Sequence, residues 1–230
     1  MIGNLLARTR QVVRPLMHRR LHRPDTRRRQ TIYGSEYGGW PILDGSVDLN
    51  SVVYSFGVGE DVSFDLAVIE HLGATVHAFD PTPKCKQWIA RQQLPAKFQF
   101  HDYGIAACDG EVEFYPPANP DHVSYSLQPT QHHHGQPVIR AVHRLSTIMS
   151  LLGHSELQVL KMDVEGFEYD VIDSMLQDQI LPPQLLVEFH HGLYGLPTGR
   201  TESSVARLRT AGYRIFYVSA VGREYGFTRA

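Results

Sequence analysis

Three short groups of residues carry side chains suited to chemistry rather than to packing. The first is Ser55-Phe56-Gly57-Val58-Gly59-Glu60-Asp61. Its two glycines let a ligand lie against bare backbone, and a following helix would offer free N–H groups. Asp80 stands about 20 residues further on, where an acid ending a second strand accepts hydrogen bonds from ribose hydroxyls. The second group is Lys161-Met162-Asp163-Val164-Glu165-Gly166-Phe167-Glu168. Three acids within six residues at the end of an apolar strand exceed what packing needs, although Glu168 also suits a helix N-terminus through its dipole. The third is Glu188-Phe189-His190-His191, where alternation puts Glu188 and His190 on the same side of a strand. A histidine with an unperturbed pKa of about 6.5 can accept a proton from an attacking hydroxyl. Asp163, Glu188 and His190 are also ligand types that a divalent metal accepts, a reading ranked below proton transfer. His77 and His101 lie in or beside strands and are read as structural.

The elements that must position these groups are legible from periodicity. Short β-rich runs at 51–56, 75–79, 97–101, 157–162 and 184–189 alternate with helical patterns at 63–72, 84–91, 145–152, 167–176 and 201–211. Residues 213–219 and 224–228 finish the chain as two antiparallel strands around Gly222, and Gly212 suits a helix C-terminus. The segment 104–115, turning at Asp109-Gly110, reads as a strand with a hairpin return. Alternating strands and helices predict one α/β domain over 31–230, a mostly parallel, doubly wound sheet with helices on both faces. In such sheets ligands sit at the C-terminal strand ends, near the point where strand order reverses. All three groups fall at those ends.

Composition narrows the class. Of 22 basic and 24 acidic residues, nine arginines and only Asp25 fall within residues 1–29, leaving 13 against 23 in the rest. An acidic body argues against nucleic-acid binding by the folded domain, which needs clustered cations. Residues 1–30 form a basic arm. Leu5, Val12, Val13, Leu16 and Met17 recur near helical spacing, interrupted by Pro15 and Pro24, and suit either a helical extension or peripheral contact with an anionic membrane. No stretch reaches the length of a membrane span, and the N-terminus lacks the apolar core of a secretory signal. Two cysteines, Cys85 and Cys108, give no disulfide framework, so a cytoplasmic location is expected. His132-His133-His134 sits in a Pro- and Gln-containing stretch, 116–137, that reads as a long solvated loop.

Taken in order, these groups resemble the FkbM family of S-adenosylmethionine-dependent methyltransferases. The resemblance rests on Val53-Tyr54-Ser55-Phe56-Gly57-Val58-Gly59, His77-Ala78-Phe79-Asp80-Pro81, Gly104-Ile105-Ala106 with Asp109-Gly110-Glu111-Val112, Leu160-Lys161-Met162-Asp163-Val164-Glu165-Gly166, and Val187-Glu188-Phe189-His190. It implies a Rossmann-like, seven-stranded class I methyltransferase sheet with an antiparallel last strand. It also implies methyl transfer to a hydroxyl on a sugar, glycan or secondary metabolite. Carried over, Gly57 and Gly59 pass the methionine part of the cofactor, Asp80 meets the ribose, and Asp102, Gly104 and Ile105 border the adenine. Asp163 and Glu165 face the methyl group and the acceptor. Many members have an acid where Ser55 stands, so the contact to the cofactor's amino group passes to Glu60 or Asp61.

Asp163 and His190 are the two candidate bases. Two rival readings use the same first half: a nicotinamide-dependent oxidoreductase, and a non-catalytic interaction module that keeps the fold. Against the first, the turn lacks a third glycine, and Glu60 and Asp61 suit a sulfonium better than a pyrophosphate.

Overall fold

The computed structural model describes residues 21–119, 125, 132 and 135–229. Within them the chain forms β1 (Gln30–Tyr33), β2 (Trp40–Leu43), β3 (Val52–Phe56), α1 (Ser63–Leu72), β4 (Thr75–Phe79), α2 (Pro83–Ile89) and β5 (Phe98–His101). There follow β6 (Gly104–Ile105), β7 (Gly110–Phe114), β8 (Val138–His143), α3 (Leu145–Leu152), β9 (Val159–Met162) and α4 (Glu168–Gln177). The chain ends with β10 (Gln184–Glu188), α5 (Thr198–Thr210), β11 (Tyr213–Val218) and β12 (Glu224–Arg229).

Seven strands build the central sheet in the order β11-β12-β10-β9-β3-β4-β5. β3, β4, β5, β9 and β10 run parallel, and the last strand, β12, enters antiparallel between β10 and β11. The inner strands are mostly apolar because both of their faces are covered. Tyr54, Phe56, Leu160, Met162, Leu185 and Val187 pack with α3, α4 and α5 residues such as Ile148, Ile172 and Leu208. Their sequence neighbours Val53, Val159 and Leu186 turn the other way, toward Phe64 and Val68 of α1 and the β2 residues Trp40 and Ile42. Strand order reverses beside β3: the chain first adds β4 and β5 on one side, then β9 and β10 on the other.

Two small sheets depart from expectation. β1 and β2 form an antiparallel hairpin ahead of the first sheet strand. Its Trp40-Pro41-Ile42-Leu43 run is fully buried against α1. The return expected at Asp109-Gly110 does not form a hairpin with β6. Instead β8 lies between, parallel to β6 and antiparallel to β7, with Val142 opposite both Gly104 and Gly110. The Asp109 carboxylate has another partner set. It accepts hydrogen bonds from the Arg144 N–H at 2.9 Å and the Thr147 hydroxyl at 2.9 Å, and so satisfies the start of α3, whose own N-cap residue supplies no side-chain bond.

The expected arm helix falls largely on residues outside those described, Leu5 to Met17 included, as do His133 and His134. From residue 21 to 29 the chain is not helical. Asp25 is tied to Arg209 at 2.7 Å and to the Ile215 N–H at 2.9 Å, which docks this segment on α5 and β11. Among the described residues no helix is long and apolar enough to cross a membrane.

His77 is buried in the sheet, and His101 lies partly buried beside it. Their rings stack 5.3 Å apart with Nδ1 of His77 3.0 Å from Nε2 of His101, and His154 meets His77 edge-on at 4.7 Å. Burial, then the nearby His154 and His101, pushes His77 down to about 4. Its unfolded-state value is about 6.5, so between these values the unfolded chain binds the extra proton and the folded one does not. Stability is therefore full above about pH 6.5 and falls as pH drops toward 4. The expected loss is roughly 1–2 kcal/mol after screening, and His77→Phe flattens it in urea unfolding at pH 7 and pH 4.5. An unchanged slope in that variant would assign the acid sensitivity to other groups.

Candidate active site

At the C-terminal ends of β3, β4 and β9 lies a cavity of about 400 Å³, within the range that small-molecule sites occupy. Gly57, Gly59, Glu60, Asp61, Asp80, Gly104 and Ile105 all line it, as do Asp163, Glu165 and Glu188. Strand direction explains the convergence, because parallel strands present their C-terminal ends at one edge. The glycine turn, the acids after β9 and Glu188 at the end of β10 thereby meet there.

The glycine turn is built differently from its first reading. Gly57 has φ +80°, and a Cβ there would lie 1.8 Å from the Asp163 carbonyl oxygen. The residue is glycine because β9's continuation presses on it, in addition to any ligand. Asp80 is buried, and its carboxylate accepts the Gly59 N–H at 2.9 Å and the Thr82 N–H at 2.8 Å. Burial raises its pKa, against the pull of the Thr82 and Gly59 hydrogen bonds. Asp80 thus clamps the turn to the second strand while remaining on the cavity wall.

Three residues expected at the cofactor take other places. Asp102 points away from the cavity and pairs with Lys86 of α2 at 2.5 Å, half exposed. Ser55 is buried beneath the turn and is not part of the cavity lining. Asp61 reaches the wall, but its carboxylate accepts the Ser35 hydroxyl at 2.8 Å and the Ser63 N–H at 2.7 Å. These bonds fasten the β1–β2 turn over the start of α1. Residues 36–41 of that turn, Trp40 among them, line the cavity. The Trp40-Pro41-Ile42-Leu43 apolar run was the available signal for this wall.

The acids after β9 surround His190. Its Nε2 lies 3.3 Å from Glu165 Oε2 and 3.6 Å from Asp163 Oδ1, and its Nδ1 lies 3.3 Å from Glu168 Oε1. Glu168, fully buried, also accepts the backbone N–H groups of Gly166 at 2.8 Å and His190 at 2.9 Å. Burial alone would lower the His190 pKa; the Glu168 hydrogen bond and the charges of Glu165, Glu168 and Glu188 outweigh it and raise the value to about 10. His190 is therefore an imidazolium at neutral pH and stands behind the cavity wall, with Asp163 and Glu165 in front of it. Glu188 is held well above the usual carboxylate range by burial and by the Asp163 charge.

Glu165 adopts φ +50° and Tyr194 φ +51°, and the Tyr194 hydroxyl donates to Glu165 Oε2 at 2.6 Å. Backbone strain of this kind gathers where a side chain must be aimed. Asp163, Glu165 and His190 each offer one ligand atom within 4.8 Å of the others, so the set geometrically suited to a divalent ion contains Glu165 in place of Glu188. The β11–β12 turn completes the far side through Ser219, Val221 and Glu224.

Two charged residues to which the sequence analysis gave no role of their own lie under the turn. Lys161, in the middle of buried β9, donates to the Gly57 carbonyl at 2.8 Å and the Phe56 carbonyl at 3.2 Å. Asp65 of α1 is buried beside it on the same wall. A lysine inside the run Leu160-Lys161-Met162 was the signal.

The fold, the glycine turn and the acidic strand ends together define a methyltransferase domain, and the sequence profile of the Methyltransferase FkbM domain matches residues 51–215. The chain belongs to the FkbM methyltransferase family. It is similar to a protein of Homo sapiens described as probable methyltransferase-like protein 24, 26% identical over 158 residues covering 67% of this chain and 37% of the relative. The Rattus norvegicus protein of that description is 27% identical over 157 residues, covering 67% of this chain and 37% of its own length. The match thus spans little more than a third of the relatives.

Proposed function

We propose that this chain is an S-adenosylmethionine-dependent methyltransferase that methylates a hydroxyl group of a small-molecule or glycan acceptor. The observation that carries the reading is the single cavity wall on which the Gly57–Gly59 turn, Asp80 and Asp163 meet. Its placement at the strand-order reversal suits the doubly wound class I methyltransferase sheet. The residues present fit the cofactor. Asp80 faces the ribose, the bare turn admits the methionine chain, and the buried carboxyl of Asp65, one oxygen of which has no hydrogen-bond partner, suits its charged end. Free thiols at Cys85 and Cys108 suit the cytoplasm as its place of work.

S-adenosylmethionine, when bound, supplies an electrophilic methyl group. The chain's own residues then have to orient an acceptor oxygen, exclude water and take a proton. A sugar hydroxyl does not ionise near neutral pH, so a base contributes about 10²–10⁴-fold, and alignment contributes as much as about 7–11 kcal/mol. Asp163 is the base: it is one-third exposed and opens on the cavity. His190, protonated behind it, is a positioning residue. It holds Asp163 and Glu165 in place as their counter-ion, and Glu168 in turn holds its ring.

Calorimetry with S-adenosylhomocysteine and with NADH tests the cofactor. Binding of the former alone is expected, with about 2.7 kcal/mol of thermal stabilisation at 100 times the dissociation constant. Heat with NADH and none with the adenosyl compound would favour an oxidoreductase, and heat with neither would favour an interaction module.

A further inference from the structure

Resting on that cofactor reading, we infer that Asp65 and Lys161 form the subsite for the α-amino acid end of the adenosyl compound, Asp65 taking the α-ammonium and Lys161 the α-carboxylate. The two side chains come from different elements, the first turn of α1 and the middle of β9, and meet on one wall of the cavity beneath Gly57. Asp65 is 2% exposed and Lys161 6% exposed. Oδ1 of Asp65 has no hydrogen-bond partner among the described residues, and neither has the buried hydroxyl of Ser55 on the adjoining strand.

A buried carboxylate oxygen without a donor is a costly arrangement unless something supplies one. Lys161 supplies charge but spends its hydrogen bonds elsewhere, on the Phe56 and Gly57 carbonyls. An ammonium has three N–H donors, so one remains for a ligand, with the Trp40 ring 5.6 Å from Nζ closing the other side. Burial pushes Asp65 up to about 6, and the Lys161 charge pulls the other way; at neutral pH the carboxyl is largely ionised and ready for a cation. A fixed anion beside a fixed cation, both desolvated, is the complement of an amino-acid zwitterion. A dinucleotide pyrophosphate carries no ammonium to meet Asp65. Asp61, with both carboxylate oxygens bonded to the chain, has a structural task already.

The test is calorimetry on the full chain with three probes: S-adenosylhomocysteine, its des-amino analogue, and 5′-methylthioadenosine, which lacks the amino-acid end. Wild type is expected to bind S-adenosylhomocysteine about 10–100-fold more tightly than the des-amino analogue, the range of one buried charge-assisted hydrogen bond. Asp65→Asn is expected to bind both alike, with its affinity for 5′-methylthioadenosine unchanged; that third probe reports an intact pocket. A wild type that binds the des-amino analogue as tightly as S-adenosylhomocysteine overturns the subsite, and it does so whether or not the variant folds. So does an Asp65→Asn protein that keeps the preference, or a Glu60→Gln protein that loses it in place of Asp65→Asn. A wild type with no heat from any of the three probes overturns the cofactor reading itself, a result distinct from binding without discrimination.

Discussion

Gly57→Ala is expected to lower stability by about 3 kcal/mol or more and to abolish binding of the adenosyl compound. Two effects add. At φ +80° a Cβ is strained on its own account, worth about 1–2 kcal/mol. The added atom would also stand 1.8 Å from the Asp163 carbonyl oxygen and 2.8 Å from its carbon, an overlap that backbone cannot relieve by rotating a side chain. Neither partner is loose. Gly57 donates its N–H to the Phe79 carbonyl at 3.0 Å, and Asp163 donates to the Phe56 carbonyl at 3.0 Å, so the turn moves only by breaking the ladder between β3 and its neighbours. Overpacking of this kind costs roughly 1–3 kcal/mol further. For a chain of this size each kcal/mol lowers Tm by about 2–4 °C. Gly45→Ala is the control: Gly45 has φ +74° with nothing within 4 Å of its would-be Cβ, so it carries the conformational cost without the overlap. Equal losses in the two variants, measured by thermal and denaturant unfolding, would remove the close approach of Asp163 from the account.

Asp163→Asn is expected to reduce methyl transfer by about 10²–10⁴-fold while S-adenosylhomocysteine affinity stays within a few-fold of wild type. The amide keeps the shape of the side chain and removes only its ability to take a proton. His190→Gln removes the counter-ion 3.6 Å from Asp163 Oδ1 and leaves Asp163, Glu165 and Glu168 crowded together without it. Its signature is expected in kcat rather than in S-adenosylhomocysteine affinity, because the imidazolium positions the carboxylates without touching the cofactor. It is also expected in stability. The His190 pKa is raised from about 6.5 to about 10, so its contribution is full below about pH 6.5 and is lost as pH rises through 10; the variant lacks that loss. Full activity in Asp163→Asn would transfer the base to another group, and abolition of wild-type activity by a chelator would make the Asp163, Glu165 and His190 atoms ligands of a divalent ion instead.

The secondary structure is the most legible layer. Helix 63–72 and helix 145–152 fall where periodicity places them, and strands 75–79 and 184–188 lie within one residue of expectation. Hydrophobic period and turn residues are local properties, so a linear string carries them. The acids that follow β9 and Glu188, which ends β10, were legible for the same reason, since they stand at or shortly after the end of a buried strand. Asp102 was not. The resemblance places it beside the adenine, whereas the structure pairs it with Lys86 of α2, 16 residues away in sequence. The β8 strand was missed because its partners, β6 and β7, are not joined to each other.

What the chain alone determined is an α/β methyltransferase domain with a glycine turn, an acid, Asp80, directly after the second strand of the parallel sheet, and a row of acids at the strand ends. These follow from period, composition and motif, none of which depends on distant contacts. Tertiary structure alone decided which of the charges face the cavity. His190 lies behind Asp163 rather than on the cavity wall because Glu168, 22 residues away, draws its ring inward. Asp65 and Lys161, nearly a hundred residues apart in the chain, share a wall because β9 lies next to β3 in the sheet. Period two tells which side of a strand a residue takes; only strand order tells what waits there.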